Sequence, residues 1–109
     1  MQSTDAQQIC TRYGSQFAPP ASSDKLGIAL ATLHLLPLNA LRVVPENGTC
    51  GWYIWGGEEI STDVDFFQPL HVAHLRDHCP SLVPYLGLAP GWRVFLAPTQ
   101  VGVWFDPTL

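Results

Sequence analysis

Three histidines and a cysteine fall within nine residues: His71, His74, His78 and Cys79. If residues 69–79 form a helix, imidazoles at i, i+3 and i+7 lie within about 60° of one another on its surface. Converging imidazoles are what zinc needs. Cys79 sits about 80° around the same helix from His71 and makes a poor fourth ligand. The segment His71-Val72-Ala73-His74-Leu75 also lacks the glutamate that follows the first histidine in helix-borne metalloproteases. The chemistry on offer is a small zinc-dependent hydrolase using His71, His74 and His78. The competing reading is a polar helix face whose histidines bond to neighbouring loops, with no metal.

Glu58, Glu59, Asp63 and Asp65 place four carboxylates within eight residues. Paired carboxylates do acid–base work when their surroundings separate their pKa values. A calcium loop would need a spaced Asp/Asn ladder with a central Gly and a terminal Glu, and the segment has none. Exposed carboxylates also steer a basic partner. The plain alternative is a solvated loop, with Asp63 or Asp65 near the positive start of a helix. Just upstream, Trp52 and Ile54 share one face of a strand, and Tyr53 and Trp55 the other. Trp and Tyr are frequent binding anchors, so Trp55 joins Glu58, Glu59, Asp63 and Asp65 as a candidate partner contact. Core packing of all four strand residues is the rival reading. Cys50 has no base beside it in the sequence to depress its pKa. Asn47-Gly48-Thr49 matches a glycosylation acceptor but, without a secretion signal, reads as a turn. There is no phosphate loop, nucleophile elbow or dinucleotide fingerprint. The residues therefore indicate no catalytic set and no cofactor.

These groups must be positioned by one domain spanning residues 1–109. Hydrophobic residues make up 47% and charged residues 13% of the chain, a balance opposite to that of a disordered protein. Residues 3–17 read as a helix, with Ser3, Thr4 and Asp5 as caps and Ile9, Tyr13 and Phe17 on one face. Pro19 to Ser23 breaks it. Residues 25–33 fit a strand or a short helix, and a strand is expected. Residues 41–44 and 51–55 form a hairpin around the Asn47-Gly48 turn. Pro69 suits the first position of a second helix over 69–79. Residues 92–97 and 101–105 close the chain as strands. The expected fold is α+β: a small, mostly antiparallel sheet of about four or five strands packed with two helices.

The five Lys and Arg residues are scattered singly and net charge is −4, so nucleic acid is not an expected partner. A basic protein is compatible with this charge. Three cysteines without tight spacing do not make a disulfide framework. Met1 to Gln8 lacks a signal-peptide pattern. Leu26 to Leu38, broken by His34 and Pro37, is too short to cross a bilayer. The expected location is the cytoplasm, with no membrane partner.

Several linear motifs are familiar as a set. Gly51-Trp52-Tyr53-Ile54-Trp55-Gly56-Gly57-Glu58-Glu59 is followed by Asp65-Phe66-Phe67-Gln68-Pro69-Leu70-His71-Val72-Ala73-His74-Leu75. Then come Tyr85-Leu86-Gly87-Leu88-Ala89-Pro90-Gly91-Trp92-Arg93 and Val103-Trp104-Phe105-Asp106. Over residues 25–107 the chain resembles the immunity protein 33-like domain family of bacterial polymorphic toxin systems. It departs from that pattern at Val101-Gly102, where an acidic pair is expected. The resemblance implies a small cytosolic antidote that binds and blocks a cognate protein toxin, usually encoded beside it. It specifies neither the toxin nor the surface used, and oligomeric state is left open.

Overall fold

The computed structural model describes residues 5–46 and 48–109. Its elements run in the order α1 (Asp5–Tyr13), β1 (Lys25–Ile28), a 3-10 turn (Leu30–Thr32), β2 (Leu38–Arg42) and β3 (Trp52–Gly56). Next come β4 (Gln68–His71), a 3-10 turn (Val72–His74), α2 (Leu75–His78) and a 3-10 segment (Pro80–Tyr85). β5 (Trp92–Ala97) and β6 (Gln100–Phe105) complete the chain. The strands form one sheet in the order β4-β1-β3-β2-β5-β6. β1 and β3 are parallel and every other neighbouring pair is antiparallel. The α+β class and the mostly antiparallel pairing hold, but the sheet has six strands rather than four or five and includes one parallel pair.

The extra strand comes from the segment expected to be helical. Residues 68–71 pair with the whole of β1, from Lys25↔His71 to Ile28↔Gln68. Without them β1 would expose a row of unpaired backbone groups, which is costly beside a core. Pro69 is accommodated because β4 is an edge strand and one side of its backbone needs no ladder. Only Leu75–His78 is α-helical in that region, so helix 69–79 is corrected to a strand, a 3-10 turn and one short turn of α-helix.

α1 is also shorter than residues 3–17. Gly14 takes φ +83°, a left-handed geometry that suits glycine and ends helices. The Gly14 and Ser15 N–H groups both donate to the Cys10 carbonyl, each at 2.9 Å. The proposed caps Ser3 and Thr4 lie outside the described residues. Residues 25–33 divide between β1 and a 3-10 turn. The β2–β3 hairpin is present, from Leu38↔Gly56 to Arg42↔Trp52. In its loop the Thr49 N–H donates to the Glu46 carbonyl at 2.8 Å and Gly48 has φ +76°; Asn47 lies outside the described residues.

Strand alternation sorts the sheet into two unlike faces. Leu26, Ile28, Ala40, Trp52, Ile54 and Val94 point to a core completed by Cys10, Leu75, Leu82, Leu86 and Leu88 from the helical layer. Tyr53 and Trp55 point the other way, as the period of two requires. Within the helix-covered core sits one charge. Arg42 is 5% exposed, and among the described residues no carboxylate forms an ion pair with it. Its Nη1 donates to the carbonyls of Ala18 at 2.6 Å, Leu88 at 2.7 Å and Leu86 at 3.4 Å, and its Nε to Cys50 at 3.2 Å. The guanidinium lies 5.7 Å from the centre of the Trp52 ring, and Trp52 Nε1 donates to the Leu86 carbonyl at 3.0 Å. Burial pulls the guanidinium below its ordinary pKa, while Cys50 and Asp24 act in the opposite sense. Carbonyl dipoles and the indole face thus replace its lost water.

Arg42→Met keeps most of the stem but takes the guanidinium donors away from the Ala18, Cys50 and Leu88 carbonyls, while Leu86 keeps its bond from Trp52. We expect a loss of about 3 kcal/mol or more of unfolding free energy, read from the midpoint of a denaturant transition. Arg42→Lys should recover less than half of that loss, because one ammonium cannot reproduce the planar fork. An Arg42→Met protein as stable as its parent would refute the assignment.

Candidate functional site

β3 leaves the sheet at Gly56, under the turn that follows β1. A methyl group on Gly56 would strike the Thr32 carbonyl oxygen and come within 2.8 Å of that of Leu35. The Gly56 N–H instead donates to Thr32 Oγ1 at 3.0 Å, and that hydroxyl donates to the Ala29 carbonyl at 3.1 Å. Gly57, at φ +82°, donates its N–H to the Pro37 carbonyl at 2.8 Å and accepts from Asn39 Nδ2 at 2.7 Å. The Leu36–Pro37 peptide is cis. These bonds fix the direction in which the acidic loop departs.

The loop borders an open groove of about 730 Å³, walled by Thr32, Leu35, Gly56, Glu58, Ile60 and Phe66 among others. Glu58, Glu59, Asp63 and Asp65 are all exposed, and among the described residues none is in an ion pair. Asp63 is partly engaged in bracing the loop. Its Oδ1 accepts from the Asp65 N–H at 3.0 Å, its own N–H donates to Ser61 Oγ at 3.0 Å, and its carbonyl accepts from Phe66 N–H at 3.1 Å. The helix dipole offered in sequence as a reason for Asp63 or Asp65 does not apply, since residues 68–71 are a strand.

The loop returns to the sheet through an aromatic cluster. Phe66 meets Phe67 edge-on at 4.9 Å, and Phe67 meets Tyr53 at 5.2 Å and Trp55 at 6.2 Å. Trp55 is only 6% exposed, and its buried indole N–H makes no hydrogen bond among the described residues. Its position is therefore set by packing. As placed, Trp55 supports the loop from beneath and presents no exposed ring. The residues that do stand out are two aliphatics that the sequence reading passed over, Ile60 and Val64, the latter 93% exposed. The available signal was an isoleucine and a valine set among carboxylates, where a merely solvated loop has no need of them.

The histidines do not form the expected constellation. His71 ends β4, His74 ends a 3-10 turn and His78 ends α2, so the helical spacing that would align them is absent. The His71 and His74 rings meet edge-on at 5.8 Å. Among the described residues no group of three or more His, Cys, Asp or Glu is arranged to hold a metal, so His71, His74 and His78 do not form the zinc-binding set that their spacing suggested. Cys10, Cys50 and Cys79 are free and buried. Burial raises the Cys10 and Cys79 thiols above their ordinary pKa, against smaller opposing hydrogen bonds from Ser15 to Cys10, and from Ser81 and Leu82 to Cys79. No helix among the described residues is long and apolar enough to cross a membrane.

These features define a small α+β domain whose one helical layer leaves a carboxylate-rimmed groove at the end of β3. The chain belongs to the Imm33-like domain family, an immunity-protein family, whose sequence profile matches residues 5–106. That span takes in α1, ahead of the region over which the motifs were recognised. No curated protein and no solved structure matches the chain.

A thiol with a raised pKa holds less thiolate at neutral pH, and burial bars the reagent as well. A disulfide-exchange reagent should therefore react slowly with Cys10 and Cys79 in the native protein, and burial should shield Cys50 likewise, whereas all three should react in denaturant. A native thiol that reacts at the rate of free cysteine would contradict this placement.

Proposed function

We propose that this protein is an immunity protein that binds a cognate bacterial toxin directly and neutralises it, without catalysis or a cofactor. Family membership supports the class of partner. The observation that carries the choice of surface is the loop itself: exposed carboxylates surrounding Ile60 and Val64, on a segment pinned at both ends. Charge on such a rim accelerates encounter with a basic partner, and central apolar side chains slow dissociation. Glu58, Glu59 and Asp65 are the charged contacts in this reading. Asp63 braces and contributes charge, and Trp55 acts by holding Phe67 in place. The toxin's matching face is basic with an apolar centre, and the encounter takes place in the cytoplasm.

Size limits how much of the protein takes part. A standard interface buries about 800 Å² on each partner, and this chain exposes 6512 Å² in all. A loop of ten residues does not supply that area alone. The groove walls at Thr32 and Leu35 belong to the same footprint.

Co-expression with the toxin encoded beside it should restore growth and yield a co-purifying pair. Combined Glu58→Lys, Glu59→Lys and Asp65→Lys substitution should slow association by about 10-fold or more at low salt, the defect shrinking as salt rises. Val64→Ala should act mainly on dissociation. A toxin that kills equally with and without the protein would end the reading. Rescue together with parental binding by all loop variants would leave neutralisation standing and move the contact elsewhere.

A further inference from the structure

The two edges of the sheet are built differently. β4 is four residues long and carries Pro69, a short, blunted edge of the kind that resists pairing. β6 is six residues long, Gln100-Val101-Gly102-Val103-Trp104-Phe105, with no charge and no proline. Val101 and Phe105 are each 54% exposed and Trp104 is exposed beside them. A long, neutral, apolar edge is a template for another strand.

Hairpin geometry decides which backbone groups of β6 are free. β5 and β6 are joined by two residues, Pro98 and Thr99, between the closing pair Ala97↔Gln100. A turn of that length closes with a hydrogen bond between its first and fourth residues. Hydrogen-bonded and non-hydrogen-bonded pairs then alternate along the ladder. Gln100, Gly102 and Trp104 direct their N–H and C=O groups at β5. The Asp106 N–H, donating to the Gly91 carbonyl at 2.7 Å, falls on the same alternation. Val101, Val103 and Phe105 direct theirs outward.

We propose that β6 pairs antiparallel with β6 of a second copy of this chain, joining two sheets into one across a two-fold axis. A two-fold perpendicular to the sheet keeps each face on its own side, so residues pair only with residues of like parity. The register centred on Val103 sets Val103 opposite Val103, Val101 opposite Phe105 and Gly102 opposite Trp104 of the second copy. The three outward-facing residues meet one another, giving about six main-chain hydrogen bonds at two per facing pair. On the helix-covered face, each exposed Val101 gains a Phe105. On the other face each Trp104 meets a glycine, where a side chain would crowd the ring: the Trp104 indole already lies 3.3 Å from where a Gly102 Cβ would be. At the ends the Gln100 amide lies opposite Asp106, and no like charges oppose. The strand is thus its own complement, and its neutrality gives no electrostatic preference for a foreign chain. An isologous contact closes on itself, and the blunt β4 edges stop growth beyond the dimer. The contact is smaller than a standard interface, so the dimer is weak and concentration-dependent.

Sedimentation of the full chain from low micromolar to submillimolar concentration tests this. The mass should rise from 12.0 kDa toward twice that value. Val101→Pro removes an outward N–H that the β5 ladder does not use, and Val101→Lys places a charge at the junction. Both should stay monomeric, with melting curves matching dilute parent. Amide exchange offers a readout that does not depend on either variant folding. Protection of Val103 and Phe105 should increase with concentration, while that of Gly102 and Trp104 should not. A parent that is monomeric throughout overturns the proposal, as does a dimer that survives both substitutions. A monomeric parent whose toxin binding is lost in Val101→Pro also overturns it, and assigns the edge to a strand of the toxin.

Discussion

A buried guanidinium without a carboxylate is held only if enough oxygens reach it, and Arg42 draws its oxygens from parts of the chain that have no regular structure of their own. Ala18 lies in the linker after α1, Cys50 just before β3, and Leu86 and Leu88 between the last 3-10 segment and β5. Each is an irregular stretch whose carbonyl finds a donor in this one guanidinium, in keeping with the rule that native interiors leave few polar groups unpaired. One side chain on β2 thus settles the backbone of three connections, and the Trp52 indole shares the Leu86 oxygen. The helical layer cannot slide over the sheet without breaking several of these bonds at once. In a chain of 109 residues with few charges, that cross-bracing substitutes for part of the core a larger domain would have.

The opposite face of the sheet follows a different rule. Among the described residues no helix covers it, and the acidic loop's own aromatic return covers part of it. Tyr53 lies over Gly27, whose missing side chain leaves room for the ring, and its hydroxyl donates to Glu46 Oε1 at 3.2 Å. Phe67 then packs on Tyr53 and Trp55. Rigid aromatic support beneath a charged, apolar-tipped loop is a sensible way to present a preorganised surface, because little entropy is lost when a partner arrives. The buried rings and the exposed side chains of this loop are separate residues, a division that residue type alone does not reveal.

Much of this was legible in the chain. Alternation in Trp52 to Trp55 gave β3 and its two faces, Asn47-Gly48 marked the β2–β3 hairpin, and the last two strands were expected over 92–97 and 101–105, the second beginning one residue earlier in the structure. The spread of single basic residues argued against a phosphate-binding surface. The acidic cluster was visible, as was the family motif running through it. What misled was local pattern without context. His71, His74 and His78 have helical spacing, and Pro69 is a common helix starter. Yet the segment begins as a strand, because the open edge of β1 offered residues 68–71 a full set of hydrogen bonds. Trp55 looked like an anchor because it stands beside the carboxylates, and it is buried because Phe67, twelve residues later, folds back over it.

The sequence by itself determined the class of fold, the β2–β3 hairpin, the lack of a positive track and the family. These depend on composition, on periods of two or 3.6, and on turn residues, all of which act over a few neighbours. Tertiary structure alone decided that β1 pairs with β3 and β4, that Arg42 lies inside among carbonyls, and that Ile60 and Val64 face outward while Trp55 does not. Those outcomes depend on which distant backbone groups and rings come together, and burial is fixed by whatever lands on a residue from elsewhere in the chain.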